Sequence, residues 1–111
     1  MSLTTHVLDT AHGRPAAGVA VEVAVLGRDG ARRVLHRTAT NADGRTDGPL
    51  LVDQAFVAGE YEIVFGVGDY FAPEPAFYET VVVRFAVRDA SADHHVPLLV
   101  SPWGYSTYRG S

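Results

Sequence analysis

His94-His95-Val96-Pro97-Leu98-Leu99-Val100-Ser101-Pro102-Trp103-Gly104-Tyr105-Ser106-Thr107-Tyr108-Arg109-Gly110-Ser111 closes the chain, and its reading decides the fold. Apolar residues run up to Ser101-Pro102-Trp103-Gly104, where Pro in the second position and Gly in the fourth are what a tight turn requires. The spacing therefore predicts a terminal β-hairpin. With Ser101 opposite Gly104, counting back along both arms sets Pro97 opposite Tyr108 and His95 opposite Gly110. Side chains alternate, so His95 and Tyr108 share a face. Diagonal neighbours across such a pair lie about 7–8 Å apart, near enough for an imidazole and a phenol to hold one small molecule. A terminus normally frays, yet Tyr108-Arg109-Gly110-Ser111 reads as a placed segment.

Working outward from the hairpin, the chain reads as strands and turns. Leu3 to Leu8 is a short strand with Leu3, Thr5 and Val7 on one face and Thr4, His6 and Leu8 on the other. Asp9 to Gly18 is a loop. Val19 to Leu26 alternates, with Val19, Val21, Val23 and Val25 on the buried side. Arg28-Asp29-Gly30 turns into a second arm, Val34 to Thr40, which Asn41-Ala42-Asp43-Gly44 ends just before Arg45. Asp47-Gly48-Pro49 is a turn and Leu50 to Val52 a brief apolar run. Glu60 to Phe65 buries Tyr61, Ile63 and Phe65. Val67 to Phe71 has room for one helical turn, since Pro73 and Pro75 forbid more. Thr80 to Arg88 is the strongest strand, with Val81, Val83, Phe85 and Val87 pointing one way. Seven to eight closely spaced strands with at most one short helix predict an all-β, two-sheet β-sandwich. Its apolar edges, such as Val96, Leu98 and Val100, are expected to be covered by a partner chain.

Composition narrows the chemistry. The 111 residues fit a single domain, residues 1–111, long enough to bury about 65% of its unfolded surface. Cysteine is absent, which removes disulfides, thiolate zinc sites and a Cys nucleophile. Lysine is absent too, so all nine cationic side chains are Arg and amine Schiff-base chemistry is closed. A net charge of −4 argues against nucleic acid. The start, Met1-Ser2-Leu3-Thr4-Thr5, has neither a basic run nor an apolar one. No secretory signal and no membrane span are expected, and the expected location is cytoplasmic.

Five His remain, at 6, 12, 36, 94 and 95, together with Arg45, which follows one Gly turn and precedes another. A zinc hydrolase fits poorly because His94 and His95 are strand neighbours that point to opposite faces, and no His-Glu-x-x-His helix exists. A serine hydrolase fits worse, since no Gly-x-Ser-x-Gly turn occurs and the five serines lie in termini, turns or the last hairpin. Metal-free acid/base work by His, with Arg and Tyr holding charge, is what the inventory leaves.

Three segments bear a family likeness: Thr5-His6-Val7-Leu8-Asp9-Thr10, Thr40-Asn41-Ala42-Asp43-Gly44-Arg45, and His95-Val96-Pro97-Leu98-Leu99 leading to Tyr108-Arg109-Gly110-Ser111. They resemble the 5-hydroxyisourate hydrolases, the enzyme branch of the transthyretin-like (prealbumin-like) family, over nearly the whole chain. The closing Tyr-Arg-Gly-Ser is the most specific mark, since the hormone-carrying branch lacks it. The resemblance implies a sandwich whose first strand lies beside the terminal hairpin. It also implies a homotetramer with active sites at a subunit interface, no cofactor, no metal, and the small molecule 5-hydroxyisourate as substrate in urate breakdown. It places catalysis on His6, Arg45, His95 and Ser111, and substrate binding on His6, Arg45 and Tyr108. The position before His95 is commonly aromatic in the family, and His94 is expected to alter the rim of the site.

Each of these residues also has a plainer reading. His6 could be a hydrogen-bonded interior His, His95 an edge-strand polar residue, Arg45 a solvated turn residue, Tyr108 hairpin packing and Arg109 an exposed charge. Ser111 is held only if its carboxylate is. His12 and His36 are read as structural, one in a loop and one on a strand. The alternative function is a non-enzymatic small-ligand carrier of the same fold, which would not need His6, Arg45, His95 and Tyr108 together.

Overall fold

Alternating apolar residues sort the strands into two sheets, as seen in a computed structural model that describes all 111 residues. The first sheet holds β1 (Ser2–Asp9), β2 (Arg14–Pro15), β5 (Leu51–Val52), β8 (His94–Ser101) and β9 (Gly104–Thr107), in the order β2-β1-β8-β9 with β5 also on β1. The second runs β4-β3-β6-β7, from β3 (Ala20–Leu26), β4 (Arg32–Ala39), β6 (Gly59–Gly66) and β7 (Thr80–Val87). One short helix, α1 (Val67–Phe71), follows β6 as the two prolines allow. All neighbours are antiparallel except β1 and β8, which run parallel.

The core lies between the sheets. Leu3 and Val7 of β1 and Val96, Leu98 and Val100 of β8 meet Val21 and Val23 of β3, Tyr61, Ile63 and Phe65 of β6, and Val81 and Val83 of β7, all buried. This corrects one expectation. Val96, Leu98 and Val100 are core residues because β8 lies inside its sheet, flanked by β1 and β9, and presents no edge. Two smaller differences follow from pairing rather than propensity. Arg32 and Arg33 join β4 because they pair with Leu26 and Val25, and the two-residue strands β2 and β5 bring the count to nine.

On the outer face of the second sheet, Glu22 pairs with Arg32 and Arg37, and Glu62 with Arg32 and Arg84, at 2.6–3.0 Å. Hydrogen bonds from these guanidiniums hold both carboxyls below their usual range.

Asp9 fastens the far end of β1. Its buried carboxylate accepts hydrogen bonds from Tyr70 Oη at 2.7 Å, from His12 Nδ1 at 2.8 Å and from the backbone N–H groups of Ala11 and His12. Burial alone would raise its pKa, but the bonds from Tyr70 and His12 outweigh it and leave Asp9 below the usual carboxylate range. A depressed carboxyl contributes stability above its unfolded pKa of about 3.9 and loses it as the pH falls through the lower folded value. Replacing Asp9 with Ala is expected to cost about 2 kcal/mol or more at neutral pH, because the Tyr70 hydroxyl and two amides lose their acceptor. Urea unfolding at pH 7 reads this, and an unchanged midpoint would contradict it.

Candidate functional site

The parallel ladder between β1 and β8 builds the floor. Its register pairs Thr4 with His95 and His6 with Pro97, and the alternation that buries Leu3, Thr5 and Val7 turns Thr4 and His6 outward. His95 faces the same way, between the buried neighbours His94 and Val96. Thr4 Oγ1 lies 2.9 Å from His95 Nδ1. His94 points inward: its ring packs edge-on to Phe56 at 5.4 Å, and its Nδ1 donates to the Ala92 carbonyl at 2.9 Å. His94 is mostly buried, yet it also contributes to the lining of the pocket described below.

Arg45 arrives by a turn docked on the outer edge of β1. Strands β5 and β2 take the two ends of that edge, at Ser2–Leu3 and Leu8–Asp9, and leave its middle free. The 41–45 turn fills the gap, with the Val7 N–H donating to the Gly44 carbonyl at 2.8 Å. Asn41 Oδ1 accepts from the backbone N–H groups of Asp43 at 2.9 Å and Arg45 at 3.2 Å, closing the turn. Gly44 is required twice over: its φ is +75°, and a Cβ there would collide with the Val7 carbonyl oxygen. The turn also sets the Asp43 carbonyl 2.9 Å from His6 Nε2. A carbonyl only accepts, so His6 Nε2 carries a proton.

The tail completes the wall. The hairpin pairs Ser101 with Gly104 and Leu98 with Thr107, as the turn residues predict. Pro97 has no N–H to continue the ladder, and its carbonyl instead accepts from the Thr107 hydroxyl at 2.8 Å. Pairing resumes at His95 and Gly110, where the Gly110 N–H donates to the His95 carbonyl at 2.7 Å. Thr4, Arg45, His95, Tyr108, Gly110 and Ser111 consequently line one open pocket of about 510 Å³, within the size range of small-molecule sites.

Of the expected site residues, the structure gathers Arg45, His95, Tyr108 and Ser111 around this pocket. His6 stands beside it, close enough for its charge to act on His95, with one ring nitrogen committed to Asp43. Ser2, Thr4, Asp93 and Gly110 also line the pocket and were not singled out by sequence reasoning. Alternation from His6 places Thr4 on the same face, and the hairpin register places Gly110 beside His95, so both carried a signal. A second, more apolar cavity of similar size opens between the sheet ends, lined by Val83, Phe85 and Val96 beneath Arg84, Arg88 and Arg109. It holds neither Arg45 nor His95. His36 is exposed and unpaired on β4, and His12 serves Asp9.

The electrostatics of the pocket favour a neutral imidazole. Burial first, then the positive charge of Arg45 and that of a protonated His6, push His95 below the ordinary His range, while the Thr4 carbonyl acts weakly in the opposite sense. The lowered pKa favours the uncharged ring of His95. Replacing Arg45 with Gln removes one of the lowering causes, so the His95 midpoint is expected to move upward. An NMR titration of the His95 ring protons reads the shift, and an unmoved or lowered midpoint would contradict the assignment.

Fold and pocket together define a class: a transthyretin-like two-sheet sandwich carrying an open polar site of imidazole, guanidinium and a terminal segment. The model of the HIUase/Transthyretin family matches residues 3–110, and the chain belongs to this family. It is 54% identical to 5-hydroxyisourate hydrolase 2 of Rhizobium meliloti (strain 1021), over 98% of this chain and 95% of that one. The structure of Klebsiella pneumoniae 5-hydroxyisourate hydrolase superposes with a TM-score of 0.85 at 33% identity, covering 100% of both chains. Transthyretin from Sparus aurata superposes with a TM-score of 0.91 at 28% identity, covering 98% of this chain and 96% of that one.

Proposed function

We propose that this chain hydrolyses 5-hydroxyisourate to 2-oxo-4-hydroxy-4-carboxy-5-ureidoimidazoline, a step of urate degradation. The chain is an enzyme of the hydrolase branch of its family. The observation that carries the reading is the meeting of His95 and Arg45 in one pocket with the Tyr108–Ser111 tail. Water adds to a ring carbonyl, the C–N bond to the neighbouring ring nitrogen breaks, and a carboxylate and an N–H remain.

His95 takes the proton from water, for which a neutral imidazole near pH 7 is suited. Arg45 holds the anionic heterocycle and the oxyanion that forms on attack, since a planar guanidinium offers paired donors. His6 donates through Nε2–H and, when protonated, can return a proton to the departing nitrogen. Tyr108 binds a ring edge, and Ser111 adds its hydroxyl to the pocket wall. The reading uses no cofactor and no metal ion.

A homotetramer with the sites at a subunit interface, in the cytoplasm, belongs to the same proposal. Tyr108, which lines the open pocket, is 59% exposed, and Trp103 at the hairpin turn is 68% exposed, surfaces that a neighbouring copy would cover. Light scattering at four times 11.9 kDa would agree with this, and a monomer would not.

Freshly generated 5-hydroxyisourate decays by itself and is followed by its ultraviolet absorbance. The protein is expected to accelerate that decay in proportion to its concentration. An unaltered decay, with the compound bound and released intact, would point instead to a small-ligand carrier.

A further inference from the structure

We propose that Thr4 and Gly110 are positioning residues for His95, Thr4 by engaging Nδ1 with its hydroxyl and Gly110 by lying bare against ring carbon Cδ2, so that Nε2 is the nitrogen presented to the pocket. The inference rests on the reading of His95 as the proton acceptor.

A His ring turns about a broad, roughly two-fold χ2, so its strand position alone does not decide which nitrogen faces a substrate. Contacts on two sides of the ring decide it here. On one side, Thr4 is the cross-strand partner of His95, and its Oγ1 sits 2.9 Å from Nδ1. Threonine is stiff at χ1, which holds the hydroxyl in place at little entropic cost. Nε2 has no protein partner. With Nδ1–H donating to the Thr4 hydroxyl, the lone pair is left on Nε2, the nitrogen free for the pocket.

On the other side, Gly110 gives its N–H to the His95 carbonyl, so its Cα is held over the imidazole. A Cβ at this position would come 2.5 Å from His95 Cδ2 and 3.2 Å from Cγ. Unlike Gly44, Gly110 does not have the positive φ that favours glycine. The ring, not the backbone, therefore excludes a side chain at 110. Arg109 and Ser111 flank the glycine, so the tail's closing residues set the imidazole as well as lining the pocket.

The test uses Thr4→Val, Thr4→Ser, Gly110→Ala and His95→Asn in the full chain. Thr4→Val is expected to lower kcat about tenfold, the order of one hydrogen bond, with KM little changed, and Thr4→Ser to restore most of it. In ¹⁵N spectra, the wild-type His95 shows a protonated Nδ1 and an unprotonated Nε2, and Thr4→Val mixes the two tautomers. Gly110→Ala is expected to lower kcat and disturb the same ¹⁵N signals while the melting temperature stays near wild type. If that variant folds poorly, the Thr4 pair decides. Wild-type kcat and an unchanged tautomer in Thr4→Val, alongside an inactive His95→Asn, would overturn the positioning role. A fully active His95→Asn would instead overturn the assignment of His95 itself.

Discussion

Replacing His95 with Ala is expected to slow hydrolysis of 5-hydroxyisourate by about a hundredfold or more, the size of a lost general base. The imidazole is half-buried, shifted toward its neutral form, and tied at Nδ1, so Nε2 is the free basic atom over the pocket. Removing it takes away the acceptor for the proton of the attacking water without opening the core. Its strand neighbours Val96 and Leu98 supply the inward packing, and Thr4 can turn its hydroxyl to water. The melting temperature should therefore stay near wild type while the rate falls. The pH profile gives a second signature. For the wild type, kcat/KM rises with pH through the lowered pKa of His95 and is flat above it, since only the neutral ring accepts a proton. In His95→Ala that acid limb should vanish. A variant rate within threefold of wild type, or an unchanged acid limb, would remove His95 from the reaction.

Replacing Arg45 with Ala is expected to reduce kcat/KM by about a hundredfold to a thousandfold, through both a higher KM and a lower kcat. The 41–45 turn fixes the Arg45 backbone, while its guanidinium makes no ion pair within the protein and lines the pocket. An unpaired guanidinium beside a neutral imidazole is a ready anion site. It would meet the substrate's negative charge in the ground state and the oxyanion as water attacks, so binding and turnover should fall together. Lysine in its place keeps charge but loses the planar pair of donors, and should recover only part of the loss. A rise in KM alone would confine Arg45 to binding, and no change in either constant would take it out of the site.

Much of this geometry was legible in the sequence because it follows from period and turn chemistry. Ser101-Pro102-Trp103-Gly104 fixed the hairpin register, and that register set His95 beside Gly110 across a proline that breaks the ladder. Alternation from Leu3 to Leu8 assigned His6 to the outer face, and two prolines limited α1 to its five residues. What escaped depends on sheet order, which local pattern does not carry. Val96, Leu98 and Val100 read as an edge from their local pattern, and only the family resemblance implied the first strand beside them. The inward packing of the His94 ring was hidden because its partner, Phe56, belongs to a distant loop. Asp9 read as the start of a loop, whereas its partner Tyr70 lies on a helix sixty-one residues away. Thr4 carries no chemical signature of its own, and only the β1–β8 register brings its hydroxyl to His95.

One titration addresses the whole account: NMR of the His6 and His95 ring signals as a stable, planar, anionic purine trione is added. Both imidazoles should shift along a single binding curve of one ligand per chain, and Arg45→Ala should weaken that curve for both alike. Shifts confined to one ring, two unrelated curves, or saturation that ignores the loss of Arg45 would mean that these side chains do not serve one pocket.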